Sequence, residues 1–86
     1  MALNARHRKT LNAIFADPVS GAIKWRDIEA MLLALDGKIS QGSGSRVKVV
    51  LGTAVAVFHR PHPSPDTDKG VVKAVRRFLT SAGVKP

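Results

Sequence analysis

Residues 46–59 read RVKVVLGTAVAVFH. Two valine-rich, alternating runs flank Gly52-Thr53, the pattern of two strands joined by a tight turn. A glycine in the first of two turn positions is what a type II′ hairpin requires. A two-residue turn also fixes the register. Leu51 then faces Ala54, Val49 faces Ala56 and Val47 faces Phe58, and all six are apolar and share one side. On the other side Val50 faces Val55, Lys48 faces Val57 and Arg46 faces His59. A slip of one residue would carry every side chain to the wrong face, so the clean sorting selects this register. Opposed side chains stand within about 5 Å at Cβ, which brings Arg46 beside His59.

Working outward, GSGS (42–45) bends the backbone into the first of these strands, and Lys38–Gln41 reads as a short third strand. The second long strand is predicted over Ala54–Arg60. Upstream, Trp25, Ile28, Leu32 and Leu35 recur at three- and four-residue steps, the spacing of one buried helical face, and Asp36-Gly37 ends that helix. Residues 5–16 suit another short helix, with Leu11, Ile14 and Phe15 on one side and Arg6, Arg8 and Lys9 on the other. DPVSG (17–21) is a turn by composition. Downstream, RPHPSPD (60–66) holds three prolines and is predicted to be a loop. One of Asp66, Thr67 or Asp68 then caps a last helix that runs to about Ala82, with Gly83 in the usual stop position. Helix, helix, three strands, helix predicts an α+β fold. Its helices would cover one face of a small antiparallel three-stranded sheet and leave the other face open.

The chain has 86 residues, which favours one domain spanning 1–86 with residues 1–21 as an N-terminal helical extension. A chain of this size buries only about 60% of its unfolded surface. The 14 lysines and arginines outnumber the 6 aspartates and glutamates, for a formal charge of +8. Such an excess favours a polyanionic partner, most simply nucleic acid, bound through phosphate neutralisation. A membrane surface is the rival; it needs a basic amphipathic helix with bulky apolar residues opposite, which the last helix meets only in part. No membrane partner is expected. The basic start MALNARHRKT is followed by no apolar run of signal-peptide length, and no stretch has transmembrane length. A cytoplasmic protein is expected; with no cysteine, the redox compartment stays open.

Two of the three histidines lie in FHRPH (58–62). Zinc needs three or four protein ligands, and only distant His7 or carboxylates can complete a set with them. Pro61 also keeps His59 and His62 off one helical turn. No acidic residue lies between Asp36 and Asp66, so the strands offer no carboxylate cage for two-metal nuclease chemistry. Neither metal nor cofactor is expected. RNA hydrolysis without metal is different, because the ribose 2′-hydroxyl is the nucleophile. It needs a base or acid, which a histidine supplies near neutral pH, and a cation for the developing charge. His59 and Arg46 hold those two chemical types. The alternative is a surface histidine that contacts RNA without chemistry. Lys48, Arg60 and His62 lie nearby as candidate RNA contacts. In the last helix Val71, Val72, Val75, Phe78 and Leu79 form an apolar stripe. Lys69, Lys73, Arg76 and Arg77 cluster on its far side, either as solvated surface or as a phosphate track.

Three segments taken in order, GSGSRVKV (42–49), VAVFHRPHP (55–63) and DKGVVKAVRRFLTSAGV (68–84), resemble the HicA-type toxins, the mRNA interferases of bacterial toxin–antitoxin pairs. The likeness covers about residues 25–84, and the segment before it looks like an extension found in one branch of that family. The resemblance implies a double-stranded-RNA-binding-like fold, metal-independent mRNA cleavage, and neutralisation by an acidic HicB-type antitoxin that covers the active site. The usual family motif is Gly-Ser-His at the start of a strand, with that histidine catalytic. Here Gly44-Ser45 is followed by Arg46, so three readings stand: the catalytic histidine is replaced, another histidine does its work, with His59 directly across from the changed position, or the chain binds RNA without cutting it. A DNA-binding regulator with a helix in the major groove is a further class; Arg6 to Lys9 fit it, but no recognition-helix pattern accompanies them.

Overall fold

The computed structural model describes residues 3–86. Its elements run α1 (Ala5–Ile14), β1 (Ile23–Lys24), α2 (Trp25–Ala34), β2 (Lys38–Gln41), β3 (Arg46–Leu51), β4 (Ala54–His59), β5 (Asp66–Thr67) and α3 (Lys69–Ser81). The α+β architecture expected from the sequence is present, with three helices and a three-stranded antiparallel sheet ordered β2-β3-β4. A second, two-stranded sheet, not expected from the sequence, pairs β1 with β5.

All six predicted pairs of the β3–β4 hairpin are those observed, from Leu51 opposite Ala54 to Arg46 opposite His59. Gly52 adopts φ 62° and Thr53 does not share the left-handed region, as a II′ turn demands. Val47, Val49, Leu51 and Phe58 are buried, whereas Arg46, Lys48, Val55, Val57 and His59 are exposed. The strand ends at His59, one residue short of the predicted Arg60.

The helices cover the apolar face. α3 packs on β4, α2 on β2, and α1 lies against both helices. Ile28, Met31 and Leu32 of α2 and Val72, Val75 and Leu79 of α3 are fully buried members of one core cluster. Phe58 stands at its centre, tilted against Trp25 at 5.9 Å and edge-on to Phe78 at 5.7 Å. Such pairs add about 0.5–1.5 kcal/mol each beyond the area they bury. Val71, expected in the buried stripe of α3, is only half-buried.

Both α2 and α3 end in the same hydrogen-bond pattern. In α2, Gly37 N–H donates to Leu32 O at 2.9 Å and Asp36 N–H to Leu33 O at 3.0 Å. In α3, Val84 N–H donates to Leu79 O at 2.9 Å and Gly83 N–H to Thr80 O at 3.0 Å. These are Schellman closures, which need a left-handed residue just past the cap. Gly83 fills that place at φ 81°, but in α2 it is Asp36 at φ 68°, not the adjacent glycine. Gly37 is needed for space instead, since a Cβ there would lie 2.7 Å from Leu32 O. At the other end of α3, Asp68 is the cap; its carboxylate accepts from Val71 N–H at 3.0 Å. Asp66 and Thr67, the other candidates, form β5.

Candidate functional site

The open face of the sheet carries the residues singled out for chemistry. Ser45 O accepts from Arg60 N–H at 2.9 Å, so residues 45 and 60 form a hydrogen-bonded pair just beyond the strands. By alternation Arg46 and His59 are a non-hydrogen-bonded pair, the kind whose side chains stand closer together. Both are exposed, and neither side chain has a hydrogen-bond or ion-pair partner among the described residues. The next row is Ser40, Lys48 and Val57, and beyond it lie Lys38, Val50 and Val55.

The GSGS segment shapes this corner. Gly42 N–H donates to Arg46 O at 2.8 Å and Arg46 N–H to Ser43 O at 3.2 Å, while Gly44 takes φ 62°. It is therefore the tight turn of a second hairpin, β2–β3. A Cβ on Gly42 would come to 3.1 Å from Arg46 Cβ, so a bare Gly42 leaves the Arg46 side chain room.

The proline-rich segment that follows β4 is anchored at both ends. At the first end, Arg60 Nε donates to Glu29 Oε2 at 2.8 Å and its Nη2 to Glu29 Oε1 at 3.2 Å. Trp25 Nε1 donates to the same Glu29 Oε2. The hydrogen bond to Glu29 is the main reason that the Arg60 guanidinium is held even more firmly protonated than usual, with the Glu29 charge adding to it and desolvation opposing it. At the second end, β5 pairs with β1, Lys24 Nζ reaches Asp66 Oδ1 at 2.6 Å, and Trp25 N–H donates to Pro65 O at 3.0 Å. That last bond satisfies the first amide of α2, whose cap residue Lys24 offers no side-chain acceptor. His62 is exposed between the two anchors.

On α3, Lys69, Lys73 and Arg77 are exposed and form no ion pair among the described residues. Arg76 differs. Its Nε donates to Ile14 O at 2.9 Å, its Nη2 to Ala16 O at 2.9 Å, and its Nη1 lies 3.5 Å from Asp17 Oδ1. Sequence reasoning listed Arg60 and Arg76 among the candidate RNA contacts; in the structure each guanidinium also serves an internal acceptor. Arg76 closes the C-terminus of α1, a helix with no basic residue of its own in the last turn. No sequence signal ties Arg76 to α1. The i, i+4 spacing of Trp25 and Glu29 was visible, but nothing in it pointed to Arg60.

The ion pairs decide where the charge excess is spent. Four acids pair with Arg6, Lys24, Arg60 and Arg76, and Asp68 is occupied as a cap. Ten of the 14 basic residues are thus left without an acidic partner among the described residues. Arg46 and Lys48 on the sheet and Lys69, Lys73 and Arg77 on α3 are five of them. Among the described residues no three His, Asp or Glu side chains converge as a metal set would, and no helix is long and apolar enough to cross a membrane.

No curated protein and no solved structure gives a significant match to the chain. A family model described as the HicA toxin of bacterial toxin–antitoxin systems, however, matches residues 25–84. The matched span runs from the first residue of α2 past the end of α3, and so takes in the hairpin, the anchored loop and the basic helix. The chain belongs to the HicA toxin family of bacterial toxin–antitoxin systems, and that membership implies an antitoxin as its partner.

Proposed function

We propose that this toxin binds and cleaves mRNA in the cytoplasm without a metal ion and is silenced by an acidic HicB-type antitoxin. The observation that carries the reading is the closely opposed pair of Arg46 and His59, exposed and unpartnered on a face rich in cations. The imidazole of His59 takes the proton from a ribose 2′-hydroxyl, or gives one to the departing 5′-oxygen. The 2′-oxygen attacks phosphorus, the bond to the 5′-oxygen breaks, and a 2′,3′-cyclic phosphate and a 5′-hydroxyl remain. Arg46 stabilises the charge that builds on the phosphoryl oxygens between those events. Lys48 in the next row of the same face and exposed His62 in the loop after β4 serve as RNA contacts, as do Lys69, Lys73 and Arg77 on α3. Arg60 and Arg76 enter as positioning residues, because their guanidinium groups are already engaged. The order α2-β2-β3-β4-α3 supports a double-stranded-RNA-binding-like fold, with residues 1–86 acting as one unit.

A second reading, RNA binding without cleavage, is favoured by Arg46 standing where the family pattern has histidine. One experiment separates them. Purified protein is incubated with RNA in EDTA, and the fragment ends are identified. Cleavage that leaves 2′,3′-cyclic phosphate supports the enzyme, and its suppression by an acidic protein encoded beside the toxin supports the partner. Tight binding with intact RNA under every condition leaves the binding module.

A further inference from the structure

We propose that a cleft between α3 and residues 17–21 is the track for RNA backbone phosphates, and that the segment preceding the family-matched region is the far wall of this track. The inference rests on the RNA-binding reading above and adds where the backbone lies. The cleft has a volume of about 510 Å³ and is lined by Lys69, Lys73, Arg76 and Arg77 on one side and Asp17, Pro18 and Val19 on the other. Its second wall lies wholly outside residues 25–84.

Three observations support a phosphate track over a solvated basic stripe. First, Lys69, Lys73 and Arg77 follow one another at four-residue steps, so their attachment points rise about 6 Å apart along α3. That is of the order of the spacing of successive phosphates on one strand, and it presents repeated single charges in a row. Second, the wall is fixed. Arg76 holds the carbonyls of Ile14 and Ala16, and Gly21 runs so close to Lys69 that a Cβ there would touch its Cγ and Cε at 3.6 Å. Val19 packs on the core behind. Third, the one carboxylate in the lining, Asp17, lies at 3.5 Å from Arg76, so the free charge of the cleft is that of Lys69, Lys73 and Arg77. Among the described lining residues four are cations and two, Val19 and Pro18, are apolar, a charge-rich composition that suits a polyanion better than the charge-depleted core of a protein interface.

The test is the salt dependence of binding to a 2′-O-methylated oligoribonucleotide, which lacks the attacking hydroxyl and so reads binding apart from cleavage. Replacing Lys73 and Arg77 together by glutamine should flatten the slope of log affinity against log salt by about two, one for each lost phosphate contact. Asp17→Asn should tighten binding about threefold at low salt, by removing the carboxylate from the track. Asn12→Lys adds the same single unit of charge on α1 outside the cleft lining, and should have less than half that effect. An unchanged slope in the double variant overturns the proposal, as does an Asp17→Asn effect no larger than that of Asn12→Lys. A result in which these variants bind RNA normally but lose an acidic antitoxin assigns the cleft to protein recognition and also overturns it. Cleavage of ordinary RNA by the same variants is measured separately. Retained cleavage with an unchanged slope removes the track and leaves the His59 chemistry standing, while a flattened slope in a protein that never cleaves leaves the track and removes the chemistry.

Discussion

Phe58 and His59 are chain neighbours in β4 that face opposite sides of the hairpin. Phe58 is 5% exposed and wedged between Trp25 and Phe78, whereas His59 is open to solvent with no hydrogen-bond partner among the described residues. One strand thus carries both the centre of the core and the proposed centre of the chemistry, separated only by the period of the pleat. Every side chain on the covered side answers to its packing neighbours. On the open side packing leaves identity free: two valines at 56% exposure lie among the exposed Arg46, Lys48 and His59.

The most severe way to break this division is Phe58→Ala. It should cost about 3–5 kcal/mol, a large share of the stability of a small domain, and all activity should fall with the folded fraction in a urea titration. His59→Ala should leave the same titration unchanged while cleavage drops by about 10²–10⁴-fold and RNA binding survives. If His59→Ala destabilises the fold as Phe58→Ala does, the two faces are not separable. Arg46→His sharpens the comparison, since it restores the family pattern across from His59. Reduced cleavage, by about tenfold or more, is expected if Arg46 is the charge stabiliser. Increased cleavage that no longer depends on His59 would mean that the native chain is a weakened member of its family. The smallest effect belongs to Val57→Thr on the open face, which should shift stability by no more than about 0.5 kcal/mol.

What the sequence made legible follows the same line. Alternation over six residues on each side of a glycine turn fixes faces, register and the Arg46–His59 pairing at once, and α3 is plain from its apolar stripe, though its cap was narrowed only to Asp66, Thr67 or Asp68. The β1–β5 pair was invisible because two-residue strands are too short to show any period, and β5 sits where prolines announced only a loop. The internal partners of Arg60 and Arg76 were illegible for a related reason. A guanidinium's partner is decided by which acceptors the tertiary fold brings within reach, here a carboxylate 31 positions away and a carbonyl 62 positions away. The end of α2 at Asp36-Gly37 was legible, but not which of the two residues turns left-handed. Composition suggests glycine for the left-handed place, but the close approach of Leu32 O claims Gly37 and leaves that conformation to Asp36.

The tie between β1 and β5 has a kinetic consequence. Lys24 and Asp66 are 42 positions apart, and their pairing closes everything from α2 to β4 into a loop fastened by two residue pairs. The hairpin, by contrast, joins neighbours in the chain and closes at little entropic expense. The hairpin can therefore form early, as a local nucleus, with the tie fastening only once α2 and α3 have docked. In the native state the order reverses, because a tie of only two residue pairs, one buried at Ile23–Thr67 and one half-exposed at Lys24–Asp66, opens at lower free energy than the sheet it encloses. Amide exchange should then be fast at Ile23 and Thr67 and slow at Val47 and Val49. Transient opening of this kind would release the segment bearing His62 while every hydrogen bond of the three-stranded sheet stays in place.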